Sequence, residues 1–150
     1  MNQIQHTLAK ALIDEAPALA EHILTLRFKK YPIKDKQLFD LQSSTDYIMK
    51  LVQLLGSSLV LSESAREDGL KVWAIQTARY ALEYGQSLDI AMQSSLFIRK
   101  EIISVIERLA ELEETSVKEV IFIIQEINQM LDLCFQVFTQ TYMESILEAI

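Results

Sequence analysis

After Gly85 the chain runs to Ile150 without another glycine or proline, and its 150 residues hold only three Gly and two Pro in all. Hairpins and strand–helix–strand units need such residues at their many turns, whereas a few long helices need very few. The pattern predicts an all-α fold. A chain of this length forms one ordinary domain that buries roughly 70% of its unfolded surface, so disulfides and structural metals are not needed for stability. No internal repeat, low-complexity tract or Ser-rich linker divides it, and a single domain over 1–150 is the expectation.

Helix signals split the sequence into about six pieces. Ile4, Leu8, Leu12 and Ile13 give a first helix over 3–15. Pro17 suits the first turn of a second, which carries Leu19, Ile23, Leu24 and Leu26 and stops before Pro32. A third opens among the cap-type residues from Ser43 to Asp46 and closes at Gly56, and the stretch with Leu38, Phe39 and Leu41 makes a helical turn before it. Ser64 with Glu67 has capping-box spacing for a fourth helix reaching Tyr84, and Gly85 ends it. Ser87 caps a fifth that runs to about Leu112, and Ser116 with Glu119 caps a last one that reaches Ile150.

Charge narrows the classes of partner. The net charge is −7, with nine residues of each sign in 1–75 but five basic and twelve acidic in 76–150. Such a surface repels phosphate backbones, so nucleic acid is not an expected partner. Arg27, Lys29, Lys30, Lys34 and Lys36 form the one basic cluster; it reads as a solvated helix C-terminus, where cations favour the last carbonyls, or as a patch for an anion, membrane or acidic partner. The longest aliphatic and aromatic run, Val120 to Ile124, is far short of the ~20 residues of a membrane span, and the N-terminus has no secretory pattern. With Cys134 as the lone cysteine, a cytoplasmic protein without membrane contact is expected.

Groups that could do chemistry near neutral pH are few. His6 and His22 stand sixteen residues apart and lack the i, i+4 spacing of a helical metal pair. Cys134 lies on an apolar stripe and reads as a small buried hydrophobe. No Gly-rich phosphate loop and no Glu-x-x-His pair occurs, and Glu111, Glu113 and Glu114 read as a solvated turn. The inventory argues against an enzyme, a metal site or a cofactor. Arg99 breaks its local rule, because it projects from the apolar face between the directions of Met92, Ile102, Ile103 and Ile106. A charge there must snorkel, pair or meet a partner, with Glu126 and Asp132 as the conceivable acids.

The last helix is too long for a globule of this size. Some 34 residues span about 51 Å, against about 40 Å for a compact domain. Val120, Ile124, Ile127, Leu131, Cys134, Phe138 and Tyr142 form one stripe, with Ile123, Met130 and Val137 on its flank; adding Val117 and Phe135 gives an arc roughly twice the ~100° that one core face needs. One stripe can face the core. The flank of Ile123, Met130 and Val137 is then expected to meet a second copy of the chain, the alternative being a helix simply buried on both sides.

The stretch from Trp73 through Arg79 to Gly85, Gln86, Ser87 and Leu88, then Leu96, Phe97, Ile98 and Arg99, and finally Glu126, Ile127, Asn128, Asp132 and Tyr142 resembles the N-terminal sensory domain of RsbR-type stressosome proteins. The likeness lies in residues over the second half and in helix layout over the first. It implies a non-haem, globin-like, all-α domain that forms a homodimer and serves as a non-catalytic input module of a bacterial stress-response signalling complex. In that family the last helix continues through a linker into a STAS domain, which binds a kinase and is phosphorylated. Residues 139–150 would here begin that linker. With no such domain in this sequence, kinase binding and phosphorylation do not carry over, and other stressosome proteins are partners only through an attached downstream domain. The alternative is a helical sensor that binds haem or a tetrapyrrole, for which a ligating His would be expected in the middle or later helices. None follows His22.

Overall fold

The computed structural model describes residues 3–30 and 41–150, and every element among them is helical. There are five helices: α1 (Gln3–Lys30), α2 (Leu41–Ser58), α3 (Glu63–Glu83), α4 (Leu88–Leu112) and α5 (Val117–Ala149). The expected count of six fails at Pro17, which sits inside α1 instead of opening a new helix. The buried positions Ile4, Leu8, Leu12, Ala16, Ala20, Ile23 and Leu24 keep helical spacing straight across it, and Ala16 and Ala20 are fully buried. Packing of that stripe outweighs the backbone hydrogen bond that the proline forgoes. The helical turn expected around Leu38 and Phe39 lies outside the described residues; Leu41 opens α2.

Gly56 does not terminate its helix. It lies buried within α2, where an added Cβ would stand 2.9 Å from the Ala9 carbonyl oxygen and 3.2 Å from the Leu12 Cβ. The missing side chain is what lets α2 lie close against α1. The cap of α3 also shifts from the expected Ser64 to Ser62, whose hydroxyl accepts from the Ala65 amide at 3.3 Å. Ser87 and Ser116 cap α4 and α5 as expected, accepting from the Ile90 and Glu119 amides. Helix α3 closes on Gly85, at φ +70°, with the Gln86 amide donating to the Ala81 carbonyl at 2.8 Å and the Gly85 amide to that of Leu82. The α4–α5 turn repeats this geometry with Glu114 at φ +49° in glycine's place.

Helix α1 packs on α2 and α4, α5 packs on α3 and α4, and α2 meets α3 only sparingly. The core that results is continuous through all five helices. Along α5 the inward line is Ile123, Ile127, Met130, Leu131, Cys134, Phe138 and Tyr142. This corrects the expected partner-facing flank. Ile123 is 0% and Met130 2% exposed in the chain's own core, and Val137 packs half-buried against it, because α5 is turned with that flank inward, Ile123 beside Leu8 of α1 and Ile106 of α4 and Met130 beside Leu70 of α3. The apolar side chains α5 leaves outside are Val117, Ile121, Phe122, Met143 and Leu147. By length and composition α5 is also apolar enough to cross a membrane, with an 18-residue stretch of mean hydropathy 1.3. The contiguous run from Val120 to Ile124 understates it, since isolated polar residues such as Gln125 and Asn128 interrupt an apolar average.

Candidate functional site

Every helix contributes to one apolar cavity of about 60 Å³. Arg27 of α1, Ser44, Tyr47 and Ile48 of α2, and Trp73, Thr77 and Tyr80 of α3 form part of its wall. Ala91, Ser94 and Ile98 of α4, Phe135 and Phe138 of α5, and Gln86 in the α3–α4 turn complete it. The aromatic rings hold each other in place. Tyr80 lies between Tyr47 and Tyr84 with ring centroids 4.7 Å from each, and Trp73 meets the edge of Phe135 at 6.5 Å.

Polar atoms in the wall are committed to the protein. The Trp73 indole N–H donates to the Tyr47 carbonyl at 2.8 Å, the Thr77 hydroxyl to the Trp73 carbonyl at 2.6 Å, and the Ser94 hydroxyl to the Ile90 carbonyl at 3.0 Å. The hydroxyls of Ser44 and Tyr80 lie 3.0 Å apart and share a hydrogen bond. The surface offered inward is therefore mainly carbon. Among the described residues, Arg27 brings the wall its one charge: only 5% exposed, it has its guanidinium pushed down to about 10 by loss of water, against an opposing effect of Tyr80. Its guanidinium carbon stands 5.4 Å from the centre of the Phe28 ring. This corrects half of the reading of the basic cluster as a solvated helix end, since Arg27 points inward while Lys29 and Lys30 are exposed; Lys34 and Lys36 lie outside the described residues.

Arg99 is placed between α4 and α5. Its guanidinium donates to Asn128 Oδ1 at 2.5 Å and to Asp132 Oδ1 at 2.7 Å, with 27% of the side chain exposed. Of the two acids the sequence offered, Asp132 is the partner. Glu126 instead accepts from Arg66, nearly buried on α3, at 2.6 Å. Both bonds tie α5 to a neighbouring helix, and neither Arg99 nor its acceptors line the cavity.

The remaining candidates stand apart from one another. Cys134 is fully buried, its Sγ 3.9 Å from the Leu70 carbonyl, and burial pushes its thiol up to about 12. A thiol so disfavoured as thiolate is not poised to attack. His22 is 55% exposed on the outside of α1, 3.3 Å from Glu101, and His6 is exposed one end of the helix away. Among the described residues no group of three or more His, Cys, Asp or Glu is arranged to hold a metal ion. The cavity itself was missed by the sequence reading. Its one signal was Arg27, which falls four residues after Ile23 on the stripe α1 buries.

Comparison of the chain with protein-family models, with curated proteins and with solved structures gives no match.

Proposed function

We propose that this chain is a non-catalytic sensory and dimerisation module whose input is the occupancy of the aromatic cavity and whose output element is α5. The observation that carries the reading is the cavity wall: all five helices line it, and Phe135 and Phe138 bring α5 into it. A small apolar guest would touch the output helix directly and shift its population between packings. The resemblance to RsbR-type input domains points the same way, toward a cytoplasmic part of a bacterial stress-response signalling complex. A tetrapyrrole fits this interior poorly. The cavity is about 60 Å³ and no histidine lines it, whereas pockets for ligands of drug size run to roughly 300–1,000 Å³.

The proposed homodimer uses a different face from the one the sequence favoured. Beside the Arg99–Asp132 bridge, α4 exposes Met92 at 42% and Leu96 at 58%, and α5 exposes Ile121 at 51% and Met143 at 45%. An apolar band with a fixed charge pair at its middle suits a self-complementary helix-pair contact.

Trp73 is the single tryptophan and stands in the cavity wall, so its emission reports entry of a guest. Titration with benzene and 1-hexanol, each followed by Trp73 emission and thermal unfolding, is expected to give saturable shifts and a raised Tm. No saturable change with any apolar probe would refute the sensing role. Light scattering at micromolar concentration is expected to show a dimer that Leu96→Glu converts to monomer.

A further inference from the structure

The end of α5 is tied to the cavity by one hydrogen bond. Tyr142 is the last buried residue of α5, 8% exposed, and its hydroxyl donates to the Gln86 carbonyl at 2.8 Å. Gln86 belongs to the cavity wall. One helical turn before Tyr142, Phe138 belongs to it as well, and the two rings stack with centroids 6.1 Å apart and planes 22° from parallel. Beyond Tyr142 the helix carries Met143, Glu144, Leu147 and Glu148 in the open.

One described part of the wall has room to yield. A cavity of about 60 Å³ holds only a few water molecules, so a larger guest must displace part of its lining. Of that lining, Ile48, Trp73, Ile98, Phe135 and Phe138 sit mid-helix and belong to or pack against the core. The α3–α4 turn is different, because Gly85 is exposed at φ +70° and an added Cβ there would meet nothing within 4 Å. Outward movement of this turn carries the Gln86 carbonyl, and with it the hydroxyl it holds.

We infer that the Tyr142–Gln86 hydrogen bond relays the state of the cavity to the C-terminal end of α5. Tyr142 is a positioning residue in this device, and the relay rests on the cavity being the input site. A guest moves the α3–α4 turn, the turn shifts Tyr142, and the exit of α5 changes with it. The phenol oxygen is the part that matters; the ring alone would only fill space.

The test is hydrogen exchange across 143–149 in the wild-type chain and in Tyr142→Phe, each with and without pressurised xenon, with Trp73 quenching as the measure of xenon entry. The Phe variant keeps the ring and its stacking, so the fold is retained. In the wild type, xenon is expected to quench Trp73 and to change exchange at 143–149 by roughly three- to tenfold, the range one hydrogen bond spans. In Tyr142→Phe the quenching is expected to persist while the exchange response falls below about twofold. An equal response in the two proteins overturns the relay, as does xenon entry into the wild type with no change at 143–149. Absence of quenching in the wild type overturns the cavity as input site, and the relay with it. Phe138→Leu provides a second arm: it leaves the hydroxyl in place, so its exchange response to xenon is expected to survive, and loss of that response would assign the coupling to ring packing.

Discussion

Replacing Gly56 with alanine sets two opposed effects against each other, and the distances decide between them. In a helix interior the exchange ordinarily stabilises by about 1 kcal/mol, since glycine has more freedom to lose on folding. At Gly56 the new methyl would lie 2.9 Å from the Ala9 carbonyl oxygen, 3.1 Å from Ile13 Cγ1 and 3.2 Å from Leu12 Cβ. An ordinary carbon–oxygen contact is about 3.3–3.6 Å. The nearest atom is backbone of α1, and Leu12 beside it is 0% exposed, so α1 as a whole has to retreat. Overpacking costs about 1–3 kcal/mol, and a contact of 2.9 Å with backbone places Gly56→Ala in the upper part of that range, about 2–3 kcal/mol, which leaves a net loss of about 1–2 kcal/mol. Gly69 on α3 supplies the control, being exposed with only the Leu54 Cδ1 at 3.4 Å, the end of a side chain that can turn away. Gly69→Ala is expected to stabilise by about 0.5–1 kcal/mol. Urea unfolding followed by circular dichroism should move the two midpoints in opposite directions at unchanged slope. Thermal midpoints should separate by roughly 2–4 °C for each kcal/mol between them. A Gly56→Ala protein as stable as the wild type would refute the close approach of α1 and α2.

Four further outcomes follow from the same geometry. Glu114→Gly, which places glycine at φ +49° and removes an acid from the C-terminal end of α4, is expected to raise stability by about 0.5–1 kcal/mol in thermal melts. Arg66→Met strands Glu126, whose side chain is 23% exposed, and should cost about 2–3 kcal/mol; Arg99→Leu strands Asp132, 70% exposed, and should cost less than about 1 kcal/mol in matched urea unfolding curves. The thiol of Cys134 ionises in the unfolded chain near 9 but in the native chain only near 12. Its contribution to stability is therefore complete below pH 9 and is lost as pH rises toward 12, by up to about 1.4 kcal/mol per pH unit, a loss that the difference between wild type and Cys134→Ala across that range isolates.

The second half of the molecule was far more legible in its sequence than the first. Ser87 and Ser116 supply capping hydroxyls to the helices that follow them, and Gly85 supplies the left-handed residue that α3 needs at its end. These are local signals, set within a turn of the residue concerned. Pro17 and Gly56 mislead for the opposite reason. A proline commonly opens a helix and a glycine commonly closes one, but here the fit of Ala16 and Ala20 into the core and of α2 against the Ala9 carbonyl fixes their roles. Rotation of α5 escaped for a similar reason: its apolar arc is wide enough for two orientations, and the positions of α1, α3 and α4 together select the one that buries Ile123 and Met130. Asp132 was named as an acid within reach of Arg99, while the choice between it and Glu126 depended on Arg66 claiming the latter. The cavity left almost no trace, since its lining is spread over all five helices and only their packing brings those residues together.

The sparing contact between α2 and α3 gives the bundle a grain. Two slabs, α1 with α2 and α3 with α5, are joined chiefly through α4, and the aromatic void lies along the seam where they meet. A bundle built this way has two natural opening modes: one slab can loosen as a unit while the other keeps its protection. A guest lodged in the seam would act as a rivet between the slabs, so its binding would show as slower hydrogen exchange in both slabs at once.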